Sequence, residues 1–453
     1  MIKKTDQPAI NILPVDKADL PLSVTPLERM KKTWVGRLYL KHLKSLPAFR
    51  WIFINAWHLL LPLWIVIVVV YFGPKASIGW RRVIKMKDFV AVQHIKTREI
   101  FGSVRVETHL PQVRPIDDAK FLQAPHEHYV FPPVYVAELD SAIVCGGSNL
   151  VYWNSTVICH DLYRFQYDYT SEEFHGRQLI DAKANRIRLL CQDLTPLNMA
   201  CAASFVDACA GNYAHWLTEV LPRIAIFCEI EEYANVPILV DEGLHSNIMQ
   251  SLALVVGSQR PVFTLPAGRS IKVKRLIQTS ATGYIPFGRR NKGLEGHSHG
   301  EFNPIAFEVL NKRLDKNIKK DKDQLGKIYL KRSSGYRNLL NSQEVEAVLA
   351  KKGYLAIDPC DLDFIEQLNC IRGATHVVAA TGAALANLVF NKKNSNVVVL
   401  MGKHSDMSYR YWVNMLQPLG LNVKYVLGDQ LNKLERSVHE DFLIDPEAVG
   451  EFA

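Results

Sequence analysis

Apolar and polar positions follow two different patterns along most of the chain. Between residues 88 and about 200, short apolar runs are separated by Pro, Gly and Asn, which is typical of consecutive β-strands. From about residue 200 onwards, strand-like runs alternate with longer segments of helical periodicity. Because strands that alternate with helices usually pair in parallel, this second pattern favours a doubly wound α/β fold.

The sequence alone predicts the bounds of the helices and strands in this second part of the chain. The predicted helices are 213–230, 245–255, 342–352, 362–372 and 383–390. The predicted strands are 236–240, 274–278, 327–331, 354–357, 376–380 and 396–401. Asn341 and Glu344 have the spacing of a capping box, which predicts the start of the helix at 342–352.

The length of the chain predicts more than one domain, since 453 residues exceed the usual size of a single core. The stretch 286–303 is rich in Gly, Asn and His and predicts a linker. We therefore expect a membrane-anchor region at 1–87, an N-terminal domain at 88–295 and a Rossmann-like C-terminal domain at 296–453.

The membrane prediction rests on an apolar run at 51–72 that contains no Asp, Glu, Lys or Arg. A helix of about 20 apolar residues is long enough to span a bilayer. Basic residues flank the run on both sides, so their distribution does not orient it. His58 and Pro62 inside the run also allow a re-entrant hairpin, and both topologies stay open. Apolar stripes between residues 27 and 46 predict an interfacial amphipathic helix.

The net charge of +9 belongs to one end of the chain. Residues 1–100 carry 17 Lys and Arg against six Asp and Glu, and the remaining residues carry 37 against 39. This distribution favours contact with anionic lipid, and no nucleic-acid-binding motif accompanies it. The eight cysteines are scattered without CxxC spacing, so we expect no zinc site and a reducing compartment.

Three groups of residues are candidates for chemistry. On the helix that Asn212 is expected to cap, His215 and Glu219 are four residues apart and project from one face, as a general-base pair would. The same spacing also occurs in ordinary structural hydrogen bonds. The other two groups lie at strand ends of the C-terminal half: a small-residue turn with Thr381, Gly382 and Asn387, and a basic loop with Arg332 and Arg337.

Both of these C-terminal groups suit an anionic ligand. A glycine before a helix lets a ligand approach the backbone, and the free N–H groups of the helix attract phosphate. Arginines can hold a diphosphate bidentately. Ligands of doubly wound sheets bind at the carboxyl ends of the strands, where both groups are expected.

Together, four motifs in order resemble glycosyltransferase family 61. The motifs are Asn-x-x-His-Trp-Leu-x-Glu-x-Leu-Pro-Arg at 212–223, Ile-Tyr-Leu-x-Arg with Arg337 and Asn341, Phe-x-Glu-Gln at 364–367, and Thr-Gly-Ala-x-Leu-x-Asn-x-x-Phe at 381–390. The similarity covers residues 130–405. It implies a GT-B architecture of two Rossmann-like domains and inverting transfer from a nucleotide sugar without a metal ion. We expect the donor to be linked to UDP.

The resemblance assigns roles to the candidate residues. His215 and Glu219 would form the base on the acceptor side, and which of the two takes the proton is left open. Donor binding would fall in the C-terminal half, where Arg332, Arg337 and the N–H groups after Gly382 would stabilise the leaving diphosphate. Two further family positions, Glu366 and Asn387, would hold the donor or brace its loop. The family often has His immediately before the glycine, and Thr381 replaces it here.

The expected reaction is hexosyl or pentosyl transfer to a hydroxyl of a glycan or glycolipid acceptor in surface polysaccharide biosynthesis. We expect the catalytic domains on the cytoplasmic side of a bacterial inner membrane, in contact with lipid and not with nucleic acid. A Golgi type II enzyme is the alternative location, and Asn154-Ser-Thr is its one glycosylation sequon. The alternative functions are a membrane-tethered binding scaffold on a degenerate transferase fold and a GT-B-like epimerase.

Overall fold

The fold was analysed in a computed structural model of the full chain. The residues described are 11–14, 79–122, 127–163, 178–181, 184–189, 196–285, 300–318, 325–334, 337–403, 410–431 and 440–453. The apolar run at 51–72, the amphipathic stretch at 27–46 and most of the predicted linker at 286–303 lie outside these residues. Among the described residues, no helix is long and apolar enough to cross a membrane.

The N-terminal half is rich in strands, as its sequence predicts. They are β1 (Ile12–Pro14), β2 (Arg81–Lys85), β3 (Thr97–Phe101), β4 (Val104–Glu107), β5 (Gln112–Arg114), β6 (His128–Phe131), β7 (Val134–Cys145), β8 (Val151–Trp153), β9 (Thr156–Cys159), β10 (Gln178–Asp181), β11 (Arg186–Leu189), β12 (Leu197–Ser204), β13 (Ile238–Asp241), β14 (Val262–Leu265), β15 (Ser270–Thr279), β16 (Gly283–Tyr284) and β17 (Glu301–Phe302).

Twelve of these strands form one sheet in the order β1-β14-β13-β12-β15-β7-β8-β9-β2-β11-β10, with β3 added to β7. Strands β1, β14, β13, β12 and β15 run parallel, as expected of a Rossmann-like sheet. The rest of the sheet is mixed, because tight connections join β7, β8 and β9 as antiparallel neighbours. The expectation of a parallel sheet in this half is therefore correct only for its first five strands.

Helices cover the parallel part of this sheet. They are α1 (Met86–Val92), α2 (Tyr213–His215), a π-helix (Trp216–Val220), α3 (Leu221–Cys228) and α4 (Ser246–Val256). Short 3-10 turns lie at Ile116–Leu122 and Glu231–Tyr233. The predicted single helix at 213–230 is thus one continuous helical segment with a π-turn in its middle.

The C-terminal half contains a second, largely parallel sheet. Its own strands are β18 (Gly326–Leu330), β19 (Leu355–Ile357), β20 (Ala374–Ala380), β21 (Asn396–Gly402), β22 (Asn422–Gln430) and β23 (Phe442–Leu443), in the order β19-β18-β20-β21-β22-β23. All pairs from β19 to β22 are parallel, which confirms the α/β prediction. The bounds predicted for the four sheet strands of 326–402 agree within two residues.

Several helices of this half begin at side-chain caps. The helices of this half are α5 (Pro304–Asn317), α6 (Ser342–Lys351), α7 (Phe364–Gly373), α8 (Arg410–Leu416) and α9 (Pro446–Phe452), with 3-10 helices at Pro359–Asp361, Ala383–Phe390 and Gln417–Leu419. The Asn303 side chain accepts from the N–H of Ile305 at the start of α5. Asp363 and Glu366 form a reciprocal capping box at the start of α7.

The capping box predicted for Asn341 and Glu344 is wrong. Asn341 makes no side-chain cap at the start of α6. Its amide instead bonds the backbone of Ile444 in both directions, with N–O distances of 2.7 and 3.2 Å. Both the nitrogen and the oxygen of the Asn341 amide are used in this long-range pairing, so the oxygen does not cap α6.

Two segments bond across the predicted domain boundary at 295/296. Strand β5 leaves the N-terminal half and pairs in parallel with β22 at the edge of the second sheet. In the opposite direction, α5 packs on α3, and its Asn317 amide donates to the carbonyl of Leu254 at 2.6 Å. The largest hydrophobic core also includes residues of both halves. The boundary itself stays a prediction.

The seven described cysteines all have free thiols. Most of them are buried or half-buried, and Cys360 is exposed. Burial among apolar side chains explains why cysteine is used at these positions as a small hydrophobic residue.

Candidate active site

The central feature of the N-terminal half is the π-turn between α2 and α3. Asn212 caps the segment as predicted, since its side-chain oxygen accepts from the N–H of Ala214 at 3.1 Å. Pro222 has no N–H to give to the carbonyl four residues earlier, so the α-helical ladder is interrupted there. The N–H of Leu221 bonds the carbonyl of Trp216, five residues earlier. Such π-turns are frequent at functional sites.

The two residues predicted as the base lie at this turn and contact each other. His215 Nδ1 is 2.7 Å from Glu219 Oε1, and the two residues are only 3% and 6% exposed. An ionised carboxylate can only accept a hydrogen bond, so Nδ1 carries the proton when Glu219 is charged. The imidazole is then in the tautomer whose Nε2 is basic.

A buried ion pair supports the turn from behind. Arg223 donates from Nε to the carbonyl of Glu219 at 2.8 Å and from Nη2 to Asp207 at 3.0 Å. Asp207 follows β12, and its N–H donates to Asp241 at the end of β13 at 2.7 Å. Arg223 thereby fixes the backbone that carries Glu219.

Sequence reasoning did not single out these supporting residues. Asp207 and Asp241 do carry a signal, because they stand at the carboxyl ends of adjacent parallel strands. Arg223 lies in the quoted motif, but its buried partner is distant in the sequence. Nothing local in the sequence joins the three.

In the C-terminal half, the structure brings Arg332 and Gly382 together. The two residues follow β18 and β20, which are neighbouring parallel strands, so their loops lie at the same edge of the sheet. A Cβ atom added to Gly382 would lie 1.8 Å from Arg332 Nη1. The guanidinium group therefore rests directly on the glycine backbone, beside the start of the 3-10 helix at Ala383–Phe390.

Thr381 is buried beside this contact. Its hydroxyl accepts a hydrogen bond from the indole N–H of Trp412 at 3.2 Å, and the residue is 3% exposed. The hydroxyl therefore has a protein partner at the position where the family often has His. The structure places Thr381 next to the arginine contact and gives it a bracing bond to α8.

Asn387 lies away from the strand ends and contacts the base motif. Its Oδ1 accepts from the Tyr213 hydroxyl at 2.8 Å, and its Nδ2 donates to Gln367 at 2.8 Å. Asn387 and Gln367 are 2% and 6% exposed. Because Tyr213 is two residues before His215, this buried network joins the small-residue turn to the helix of the base.

Glu366 acts within its own helix. Its Oε2 accepts from the N–H of Asp363 at 2.8 Å, which completes the capping box of α7. The structure thus places this predicted donor residue in a local bracing role.

Arg337 adopts a left-handed backbone with a φ of 59° and lies near α8. Burial raises the pKa of the Tyr411 phenol in α8, and the charge of Glu219 raises it further. The charge of Arg337 acts on the same pKa in the opposite direction and lowers it. The phenol of Tyr411 therefore lies within electrostatic reach of both a predicted base residue and a predicted donor residue.

No metal site accompanies these groups in the part of the chain that the structure describes. Within it, no three His, Cys, Asp or Glu side chains cluster as metal ligands would.

Comparison with known proteins gives one family match, in the segment that holds the candidate site. Residues 213–398 match the family model described as Glycosyltransferase 61. A search of curated proteins gave no match. The matched span contains every predicted site residue, from His215 to Asn387, and both sheet edges on which they lie. Residues 213–398 are therefore assigned to the Glycosyltransferase 61 family, and this match supports a glycosyltransferase.

Proposed function

We propose that the protein transfers a sugar, with inversion, from a nucleotide-sugar donor to a hydroxyl of a glycan or glycolipid acceptor. The observation that carries this proposal is the buried contact of 2.7 Å between His215 and Glu219, which lies in the segment that matches the Glycosyltransferase 61 family model. A base held by a carboxylate is what the attacking hydroxyl requires.

In this mechanism His215 takes the proton. The acceptor oxygen attacks the anomeric carbon from the face opposite the leaving group and gives its proton to Nε2 of the imidazole. The bond from the anomeric carbon to the diphosphate breaks, and its electron pair leaves with the nucleotide. Glu219 holds Nδ1–H and stabilises the imidazolium that forms, as carboxylates do in other His-dependent sites.

Arg332 would stabilise the departing diphosphate. Its guanidinium lies at the strand-end edge where nucleotides bind to doubly wound sheets. Together with Arg337 and the N–H groups after Gly382, it supplies the positive charge that a metal ion would otherwise bring. We therefore propose metal-independent transfer, with UDP as the nucleotide.

The burial of His215 and Glu219 means that this mechanism requires a conformational change. Because His215 and Glu219 are both more than nine-tenths buried, an acceptor reaches them only when neighbouring chain moves aside. A GT-B arrangement of two halves that separate and close would supply this movement. The hydrogen bond between Tyr213 and Asn387 would then be a contact of the closed form.

The test of the proposed reaction is a screen of purified protein against UDP-, GDP- and ADP-sugars. Binding is read as a rise in melting temperature, since a ligand at 100 times its Kd stabilises by about 2.7 kcal/mol. Slow release of the nucleotide from one donor in the absence of an acceptor supports the transferase. Failure of every donor to bind would support the scaffold alternative instead.

We also propose that the protein contacts membrane lipid through the apolar run at 51–72, on the cytoplasmic side of a bacterial inner membrane, in surface polysaccharide synthesis. Strands β1 and β2 constrain the topology, because one precedes the run, the other follows it, and both belong to the same sheet. A run that crossed the bilayer once would leave them on opposite sides. The re-entrant topology is therefore favoured over a single span.

This proposal can be tested without disturbing the sheet. Deleting the whole of 1–87 would remove β1 and β2, so residues 15–78 should be replaced by a glycine–serine linker. We expect that variant to be soluble and folded while the full chain pellets with membranes. A variant that still pellets would exclude the apolar run as the lipid contact. Tags at the two chain ends should be equally accessible to protease in sealed vesicles, and opposite accessibility would exclude the re-entrant topology.

A further inference from the structure

A small cavity lies behind the proposed base. It has a volume of about 30 Å³ and reaches the side of Glu219 and Arg223. Its wall also includes the end of β15 and part of the chain that follows, namely residues 278–281 and Gly283. That chain packs directly on the π-turn, since a Cβ atom on Gly283 would lie 2.6 Å from the carbonyl oxygen of Thr218.

Three polar side-chain atoms of the cavity wall have no hydrogen-bond partner among the described residues. They are Oε1 of Gln278, Oγ1 of Thr279 and Oδ1 of Asn149. Gln278 and Thr279 are 8% and 2% exposed, so bulk water does not satisfy them. A buried polar atom without a partner costs about 1–3 kcal/mol, and such atoms in native proteins usually bind ordered water.

The volume of the cavity decides what it can hold. One water needs about 10–15 Å³ of such space, so this cavity has room for about two. A sugar ring is much larger. The cavity therefore suits water and excludes the acceptor itself.

Thr279 lines the same cavity as Glu219. Successive strand residues point to opposite faces of a sheet, so Thr279 points to the same face as Ile277. Ile277 packs in the core cluster that contains Trp216, on the side of the π-turn. Gln278 points to the other face, so the two unpartnered oxygens lie on either side of the end of β15. The backbone there is fixed by pairing with β7.

We propose that this cavity is a binding site for ordered water, and that Thr279 is a positioning residue that acts on Glu219 through that water. The water would accept from the Thr279 hydroxyl and donate to the carboxylate. A donor to the carboxylate favours its charged form, which is the form that stabilises the imidazolium of His215. This inference rests on the proposed role of the His215–Glu219 pair.

The pH dependence of the reaction gives the first readout. The titratable groups that contact Glu219, act on it electrostatically or share its cavity are His215, Tyr411, Arg223, Asp207, His160 and Cys159. Thr279→Val changes none of them and is close to isosteric. Loss of one donor should move the acid limb of nucleotide release up by about 0.5–1 pH unit and lower the rate at pH 7 several-fold. Thr279→Ser keeps the hydroxyl and should restore the profile.

Thermal stability gives a second readout that does not depend on activity. Thr282 is a matched control, because its hydroxyl is also without a partner among the described residues, is 1% exposed and does not line the cavity. Thr282→Val removes an unsatisfied group and should keep or raise the melting temperature. Thr279→Val should lower it by roughly 2–4 °C, because a water-mediated bond is lost.

A rise in melting temperature for Thr279→Val, equal to that of Thr282→Val, would show that the cavity is dry and would overturn the proposal. A fall in melting temperature with an unchanged pH profile would overturn the link to Glu219. If the donor screen finds no donor, melting temperatures and the density at the cavity in a high-resolution crystal structure still decide whether water is bound.

Discussion

The contact between Arg332 and Gly382 allows a substitution that acts on the donor site and leaves the fold intact. In Gly382→Ala, the new methyl group would lie 1.8 Å from Arg332 Nη1, so the guanidinium must move by more than an ångström. Apart from the adjoining residues of the chain, the three atoms nearest to the methyl position all belong to the Arg332 side chain. The φ of Gly382 is 168°, which alanine adopts without strain. The flexible side chain can therefore yield at little cost to stability.

The expected loss falls on nucleotide binding. A charge-assisted hydrogen bond to phosphate is worth about 1.5–3 kcal/mol, which corresponds to an affinity loss of about 10- to 100-fold when the guanidinium is displaced. The free energy of unfolding should change by less than about 1 kcal/mol. Calorimetric titration with whichever of UDP, GDP and ADP binds most tightly measures the first quantity, and urea unfolding measures the second.

Gly102→Ala is the matched control. Its methyl group would meet only Glu99 Oε1, at 3.8 Å, far from the sheet edge of the C-terminal half. This variant should bind nucleotide as the unaltered protein does. If Gly382→Ala also binds with unchanged affinity, the guanidinium of Arg332 does not contact the phosphates, and the assignment of this edge as the donor site is wrong.

Three further changes probe other contacts. Arg332→Ala should weaken nucleotide binding by the same 10- to 100-fold, about 1.5–3 kcal/mol, and Arg332→Lys should restore only part of it, since lysine cannot bind bidentately. Tyr213→Phe removes the bond to Asn387; the transfer rate should fall by about threefold to tenfold with nucleotide affinity unchanged, and an unaltered rate would exclude the coupling. The pKa of Glu138 is lowered, chiefly by its hydrogen bond to Arg275, so Glu138→Gln should cost roughly 0.5–1 kcal/mol of unfolding free energy at pH 7. A lowered carboxyl pKa contributes its full stabilisation above the unfolded pKa and loses it as the pH falls through the folded pKa, so the difference between the two proteins should disappear there in urea titrations.

The sequence predicts the elements that depend on local pattern. In the C-terminal half, the apolar periodicity places β18, β20 and β21 within two residues, because these strands are buried on both faces and bounded by turn residues. The same pattern explains why Arg332 and Gly382 could be assigned to one sheet edge. Loops after neighbouring parallel strands must lie side by side.

Contacts between distant residues were not predictable from the pattern. Asn341 and Glu344 have the spacing of a cap, yet Asn341 bonds Ile444, about a hundred residues away. Asn387 was grouped with the donor turn by its place in the sequence, and its partner Tyr213 comes from the other half of the chain. In each case a buried amide takes the partner that the tertiary fold brings close.

The most direct test of the central claim is a double-mutant cycle on the base. His215→Ala and Glu219→Gln should each lower the rate of sugar transfer by about a hundredfold to ten-thousandfold, and the double variant should be little worse than the more damaged single one. Nucleotide affinity should be unchanged in all three variants. Independent losses of only a few-fold that add in the double variant, together with a lower melting temperature, would show that the 2.7 Å pair is structural and that another residue takes the proton.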